Sequence, residues 1–239
     1  MLFSCWVKIK SAVLDILFPP ICLVCDRTFD SKDIPENICD GCFKNITIHE
    51  TMFCAVCGAR LPRNAKICHK DAPATLAAAT TYDDTAVKKL IWILKYRKAL
   101  AGAAPLAKIL IAYIRELDAD FSDFITVPVP LHKTRLRKRG FNQAELLAQK
   151  TSSALGIPFL NALTRVRDNP PQAKSKNKEE RQKNIARCFA LGDKNDIVGK
   201  KIILVDDVFT SGATTFEAAR VLKSAGARKI IVLVVAKGG

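Results

Sequence analysis

Ile202 to Val205 is an unbroken apolar run, entered from Gly199-Lys200-Lys201 and closed by Asp206-Asp207. Such a run reads as a strand buried on both faces, the mark of a parallel sheet. Ala218, Val221, Leu222 and Ala225 then recur at helical spacing, and Gly226 suits the end of that helix. Ile230 to Val235 is a second buried strand. Upstream, Val87, Leu90, Ile91 and Leu94 mark a helix leading into Lys95-Tyr96, and another is expected over about 102–115. Leu76 to Thr81 reads as a strand. So does Ile125 to Val127, which runs into a turn because Pro128 and Pro130 cannot donate to a ladder. A helix with Ala144, Leu147, Ala148 and Leu155 starts at Gly140 or Asn142, and short strands are expected over 156–159 and 186–191. Strands alternating with helices predict an α/β domain with a parallel sheet flanked by helices. At the other end, Leu2, Trp6, Ile9, Val13, Leu14 and Leu17 lie near one face of an amphipathic helix over 2–18, ended by Pro19-Pro20.

The carboxylates of Asp206 and Asp207 fall where the strand is expected to end. Thr210, Ser211, Gly212, Ala213 and Thr214 follow, all small or hydroxyl-bearing, before the next helix. Free amides and the helix dipole favour an anion there, and small residues let backbone approach it closely. Two acids beside a phosphate site suit the vicinal hydroxyls of a sugar, with a metal nearby. The alternative is an ordinary strand-turn-helix in which one acid forms the turn.

Cysteine spacing marks a separate N-terminal module. Cys22-x2-Cys25, thirteen residues, then Cys39-x2-Cys42 is the pattern of a tetrahedral zinc ribbon. Four thiolates leave no open coordination position, so the role is structural: a segment this short buries too little core without a metal. A second knuckle, Cys54-x2-Cys57, has Cys68-His69 as its only partner pair, with Asp71 where another Cys would complete the pattern. Adjacent ligands strain a Cys54, Cys57, Cys68, His69 site, so a degenerate site folded without metal is the stronger expectation. Cys5 and Cys188 are expected as core thiols. The boundary is placed between a 1–72 helix-and-ribbon domain and a 73–239 α/β domain.

Charge adds a candidate partner. The 239 residues carry 38 Lys and Arg against 23 Asp and Glu, a net charge of +15. Folding needs no such excess, which points to a polyanion such as nucleic acid or a phosphorylated ligand. Five of the seven residues from 133 to 139 are basic, Arg135, Arg137 and Arg139 among them. The stretch Thr164 to Arg187 is long, polar and basic, with Lys174 and Arg181, and reads as a functional flap or a disordered loop. Cations between a strand and a helix suit pyrophosphate or nucleic-acid phosphate. Aromatic residues are only 7% of the chain, so extensive base stacking is not advertised. No run approaches the ~20 apolar residues of a membrane span. No signal-peptide cleavage site follows the apolar start, so a cytoplasmic location is expected.

The Ile202–Thr215 stretch resembles the phosphoribosyl pyrophosphate (PRPP) signature of type I phosphoribosyltransferases. The resemblance implies that Asp206 and Asp207 hold ribose hydroxyls. Thr210, Ser211, Gly212, Ala213 and Thr214 would then hold the 5′-phosphate, with magnesium accompanying PRPP. Taken with the Cys-x2-Cys ribbon, Lys95-Tyr96, Arg139-Gly140-Phe141-Asn142-Gln143 and Gln172…Arg181-x-x-Asn184…Phe189, the chain is similar to the ComF family of late-competence proteins over roughly 12–239. That similarity implies a type I phosphoribosyltransferase-like fold with a zinc ribbon, and a part in natural transformation close to imported single-stranded DNA in the cytoplasm. Other competence or DNA-processing proteins would be partners. Two classes of function follow. One is a DNA-uptake accessory that binds PRPP. The other is an enzyme that transfers phosphoribose to an acceptor, with Val127 to Leu131 holding pyrophosphate and the 164–187 loop closing over it. An enzyme of this kind needs a hood over its acceptor, for which the zinc ribbon is the one expected segment, and the ribbon shows no obvious acceptor pocket.

Overall fold

The structure, a computed structural model, describes residues 21–28, 36–62, 68–69, 71–96, 100–168, 187–192 and 197–238. The helix expected over 2–18, Cys5, Lys174 and Arg181 lie outside these residues.

Four parallel strands form the centre: β3 (Thr75–Thr81), β4 (Phe124–Pro128), β7 (Lys201–Phe209) and β8 (Lys229–Lys237). Their spatial order is β3-β8-β7-β4. Ile203 pairs with Ile231 and Leu204 with Val232. Because side chains alternate along a strand, adjacent residues feed opposite cores. Ile203, Val205, Ile231 and Leu233 pack beneath α2 (Thr85–Tyr96) and α3 (Ala103–Glu116). Ile202, Leu204, Val232 and Val234 pack against α6 (Ala213–Ser224). Each of these fully buried aliphatic side chains contributes about 1.5–3 kcal/mol. The strand expected over 156–159 shrinks to a single parallel bridge from Phe159 to Thr126. Pro158 gives no amide to a ladder there, although its carbonyl accepts from Thr126 at 2.8 Å.

Two further differences bear on function. Basic residues 133–139 are themselves a helix, α4, between His132 as N-cap and Gly140 in the left-handed region at φ 87°. Helix α5 (Gln143–Leu155) follows, with Asn142 as N-cap. The polar stretch after 163 also begins as structure. β5 (Leu163–Arg165) pairs antiparallel with β6 (Phe189–Leu191), closing a two-stranded arm.

The cysteine-rich segment is not hung on a free linker. Its hairpin, β1 (Met52–Cys54) and β2 (Arg60–Leu61), joins the main sheet, with β1 antiparallel to β3. The buried Tyr113 of α3 donates its hydroxyl to the Thr51 carbonyl at 2.9 Å. The first ribbon docks on the helices: Lys89 of α2 reaches Asp26 at 2.9 Å, and Lys108 of α3 reaches Glu36 at 2.5 Å. Buried Cys22, Ile38 and Ile46 share a core with Leu90 and Leu106. The hydrogen-bonded sheet therefore runs unbroken across residue 72.

Candidate ligand site and metal centres

β7 extends through both carboxylates to Phe209, beyond the end the apolar run predicts. β8 stays paired with it that far: Phe209 lies opposite Lys237, and the Gly238 amide donates to the Phe209 carbonyl at 2.7 Å. Strand alternation then sends Asp206 and Asp207 different ways. Asp207 is 4% exposed, and its Oδ2 lies 2.5 Å from Lys95 Nζ at the end of α2. Burial opposes the Lys95 ammonium, but the charge and hydrogen bond of Asp207 outweigh it and hold its pKa above the usual value. Asp206 makes no ion pair among the described residues, and the Lys95 charge acts on it only from a distance. Burial and the neighbouring Asp207 charge push its carboxyl up to about 8.

The loop after β7 turns at Gly212, φ 73°, which also serves as N-cap of α6. A Cβ there would stand 2.6 Å from Phe209 Cζ and 2.8 Å from Phe216 Cε2. Only glycine fits both the left-handed backbone and the aromatic pair behind it. Gly212→Ala is expected to cost about 2 kcal/mol from backbone strain and crowding. Thermal unfolding should move down by about 4–8 °C for a domain of this size; an unchanged midpoint would refute the close fit. Thr210, Gly212, Ala213 and Thr214 line a small concavity of about 40 Å3 at the helix start. Ser211, predicted with them, lines neither this concavity nor the larger cavity beside it, and its Oγ is buried without a hydrogen-bond partner. The donor set lining the concavity fits a phosphate.

A cavity of about 340 Å3 opens beside this loop between the ends of β4 and β7. Asp206, Asp207, Thr210 and Thr214 line one part of it, and Val129, Pro130 and Leu131 another. Lys95, Arg135, Arg139 and Arg165 bring cations to its wall, with Tyr82 and Tyr96 at its aromatic side. No described ribbon residue lines the cavity, to whose wall the end of α2 brings Lys95 and Tyr96 and β5 brings Arg165. The helix period explains which basic residues take part. Arg135 and Arg139 are one turn apart and line the cavity, whereas Arg137, two residues from each, is exposed and does not. Arg139 donates to Gln143 Oε1 at 2.9 Å, and its guanidinium lies 5.9 Å from the Tyr96 ring centroid. Arg165 is 7% exposed, so burial, followed by the charge of Arg135, lowers its pKa. Asp168 ties the arm to α4: it accepts from the Thr134 hydroxyl and lies 3.5 Å from Arg135 Nε. Lys95, Tyr82 and Arg165 are absent from the residues singled out by sequence as ligand contacts. Lys95-Tyr96 was legible only as part of the family resemblance.

The cysteines assemble into two groups, Cys22, Cys25, Cys39, Cys42 and Cys54, Cys57, Cys68, His69, each with ligand atoms within 4.8 Å of one another. Tetrahedral zinc with ~2.3 Å Zn–S bonds sets its sulfurs about 3.8 Å apart. Cys25 and Cys39 Sγ atoms are 3.8 Å apart, and those of Cys57 and Cys68 3.5 Å. Both knuckles use one turn. The Asp26 amide donates to the Cys22 carbonyl and the Gly58 amide to the Cys54 carbonyl, each at 2.9 Å. Asp26 and Gly58 both take positive φ, 60° and 72°. Burial raises the Cys22 thiol pKa, but amides of Cys25, Cys39 and Val24 outweigh it and bring the group down to about 6. The amides therefore favour the thiolate a metal needs. Both groups fit structural zinc. The second set comes together despite its adjacent ligands: His69 Nδ1 lies 3.4 Å from Cys54 Sγ and 3.3 Å from Cys68 Sγ. Cys188, by contrast, is fully buried and belongs to the core rather than to either group.

Comparison with known proteins is consistent along the chain. Residues 13–70 match the double zinc ribbon domain family, and residues 100–239 the phosphoribosyl transferase domain family. Competence protein ComFC of Bacillus subtilis is 31% identical over 237 residues, covering 86% of this chain and 90% of that protein. Competence protein F of Haemophilus influenzae is 28% identical over 209 residues, covering 82% and 89%. DNA utilization protein YhgH of Escherichia coli K12 is 29% identical over 204 residues, covering 82% and 88%.

Proposed function

The chain belongs to the ComF family of competence proteins, joining a double zinc ribbon to a phosphoribosyl transferase domain, and from that premise we propose that it serves DNA uptake or utilisation through a working PRPP site. The observation that carries the reading is one cavity that gathers two carboxylates, Thr210 and Thr214 of the loop before α6, and four cationic side chains. In this reading Asp206 and Asp207 accept hydrogen bonds from the ribose hydroxyls. The amides and hydroxyls of Thr210 to Thr214 hold the 5′-phosphate. Lys95, Arg135 and Arg139 neutralise the pyrophosphate along Val129 to Leu131. Magnesium, when bound with PRPP, supplies further charge neutralisation on the pyrophosphate oxygens. Titration of magnesium-PRPP into the protein by calorimetry tests the site, and a wild-type chain that gives no binding heat overturns it.

The runner-up reading is phosphoribosyl transfer to an acceptor. The bond from the anomeric carbon to pyrophosphate breaks, pyrophosphate leaves with the electron pair, and an acceptor nucleophile bonds to that carbon. The four-cation wall favours it, since such groups stabilise the departing charge. Pyrophosphate release dependent on an added acceptor separates it from binding alone.

Single-stranded DNA in the cytoplasm is the proposed partner of the basic surface. The support is the net charge of +15 and exposed Lys133, Arg137 and Lys138 on α4. If ~4–6 phosphates are neutralised, log K should fall with log salt at a slope near −3 to −4. Replacing Arg135, Arg137 and Arg139 together is expected to flatten that slope. Oligonucleotide binding indifferent to salt would sink the idea.

A further inference from the structure

Helix α2 turns its aliphatic residues inward, burying Val87, Leu90, Ile91 and Leu94. Its other side displays two large aromatic rings. Trp92 is 48% exposed and Tyr96 66% exposed. They stand one turn apart, with ring centroids 6.5 Å from each other and planes at 40°. The aliphatic stripe seats the helix, and both rings stay partly open to solvent beside it. A chain only 7% aromatic thus concentrates two of its rings on one exposed helix face. That face is also electrostatically placed. Tyr96 lines the cavity beside Asp206 and Asp207, and the Arg139 guanidinium lies 5.9 Å from its ring. Arg139 belongs to α4, five of whose seven residues are basic.

From this juxtaposition we propose that Trp92 and Tyr96 form a stacking platform for the bases of a single-stranded nucleic acid, whose phosphates run along α4. The inference rests on the DNA-binding reading above and names the surface that does the binding. Alternating aromatic faces and cations is what a single strand requires. Every base has a π-face to lay on a ring, and every phosphate needs a cation. A duplex keeps its bases stacked inside and offers no such face. The arrangement also has a direction. A base on Tyr96 lies at the mouth of the cavity, so the strand leads from the exposed rings toward the PRPP site.

Trp92 supplies its own reporter. In a Trp6→Phe background it is the single tryptophan, and its fluorescence should be quenched by an oligothymidylate of about twelve residues. Tyr96→Ala and Trp92→Ala should each weaken oligothymidylate binding roughly tenfold or more, from the lost stacking. Neither change should alter the slope of log K against log salt, because no phosphate contact is removed. Tyr96→Phe should bind as wild type, since the ring face is kept. Circular dichroism and the zinc content of each variant guard against unfolding. Salt-dependent binding with no Trp92 quenching and full affinity in both alanine variants overturns the platform and leaves the DNA reading standing. Absence of any oligonucleotide binding by the wild type overturns the DNA reading, and the platform with it. Quenching by free thymidine as tight as by the strand also overturns it, in favour of a site for single nucleosides.

Discussion

Replacing Cys22 and Cys39 by Ser together is expected to cost the first ribbon its zinc and its fold. Structural zinc contributes an apparent ~10–16 kcal/mol at neutral pH, as much as the whole stability of an ordinary domain. Among the described residues the regular structure of 21–28 and 36–46 is one five-residue helix, Asp40–Lys44, and one bridge, Ile21 to Thr28. The loss should spread. Cys22, Ile38 and Ile46 are buried against the same side chains as α2 and α3, so their release exposes apolar surface on those helices. Wild-type protein should carry about two zinc ions per chain by elemental analysis, because both ligand groups are assembled. The double variant should keep about one, and protease should cut its N-terminal third first. A parallel Cys54→Ser/Cys57→Ser variant should also lose one zinc. It should disturb the sheet edge as well, since β1 is hydrogen-bonded to β3. A folded Cys22→Ser/Cys39→Ser protein with its full zinc complement would falsify the assignment.

The second large effect concerns the paired carboxylates, which the structure makes unequal. Asp206→Asn keeps the shape of the side chain and removes an acceptor of charge-assisted hydrogen bonds. Such bonds are worth ~1.5–3 kcal/mol each, so PRPP affinity should fall by at least about tenfold with the fold intact. Asp207→Asn should lower affinity similarly and also destabilise the protein. It leaves Lys95, whose side chain is 21% exposed, facing a neutral amide. Removing one partner of a buried ion pair costs about 3–5 kcal/mol at full burial, and the partial exposure of Lys95 reduces that. Asp207→Asn combined with Lys95→Met should recover stability without recovering PRPP affinity. Calorimetry and thermal melts read the two quantities separately. Equal affinity in all variants would dissociate the carboxylates from the ligand.

Binding should also depend on pH. Burial and the neighbouring Asp207 charge raise the Asp206 carboxyl above the usual carboxylate range, so in the free protein it holds a proton more readily than an ordinary aspartate. Accepting ribose hydroxyls requires the carboxylate, so PRPP affinity should rise as pH climbs from 6.5 toward 8.5, with proton uptake by buffer on binding. The stability sign runs the other way. A carboxyl raised in the folded state makes the unliganded protein less stable as pH rises from the unfolded pKa near 3.8 toward 8. Asp206→Asn should remove both dependences.

The elements most legible in the sequence are those whose burial is complete. Ile202 to Val205 and Ile230 to Val235 read as parallel strands because both faces are covered, and they are. The helix of Val87, Leu90, Ile91 and Leu94 was equally plain, as was the helix stop at Gly226. Misread elements are short or polar. β5 has three residues, and its partner β6 lies 24 positions further on, from Arg165 to Phe189. No local pattern signals such a pairing. Helix α4 has no buried residue and therefore no apolar period, so its seven residues looked like a charge run. The end of β7 was misplaced because acids in a strand look like a stop, whereas β8 supplies partners for three residues more.

By itself the sequence determined the chemistry available: two acids before a small hydroxyl loop, four thiols at ribbon spacing, and a large excess of cations. These follow from residue type and near-neighbour spacing, which the chain fixes before it folds. Only the tertiary structure decided which distant groups meet. It brought Lys95 to Asp207 across 112 positions and made the two carboxylates unlike in burial and in ion pairing. It chose Arg135 and Arg139 over Arg137, closed the second metal group around His69, and put Trp92 and Tyr96 on the outside. Each outcome depends on how whole helices seat on a sheet. That seating is set by the sum of many buried contacts, none of which is written next to the residue it places.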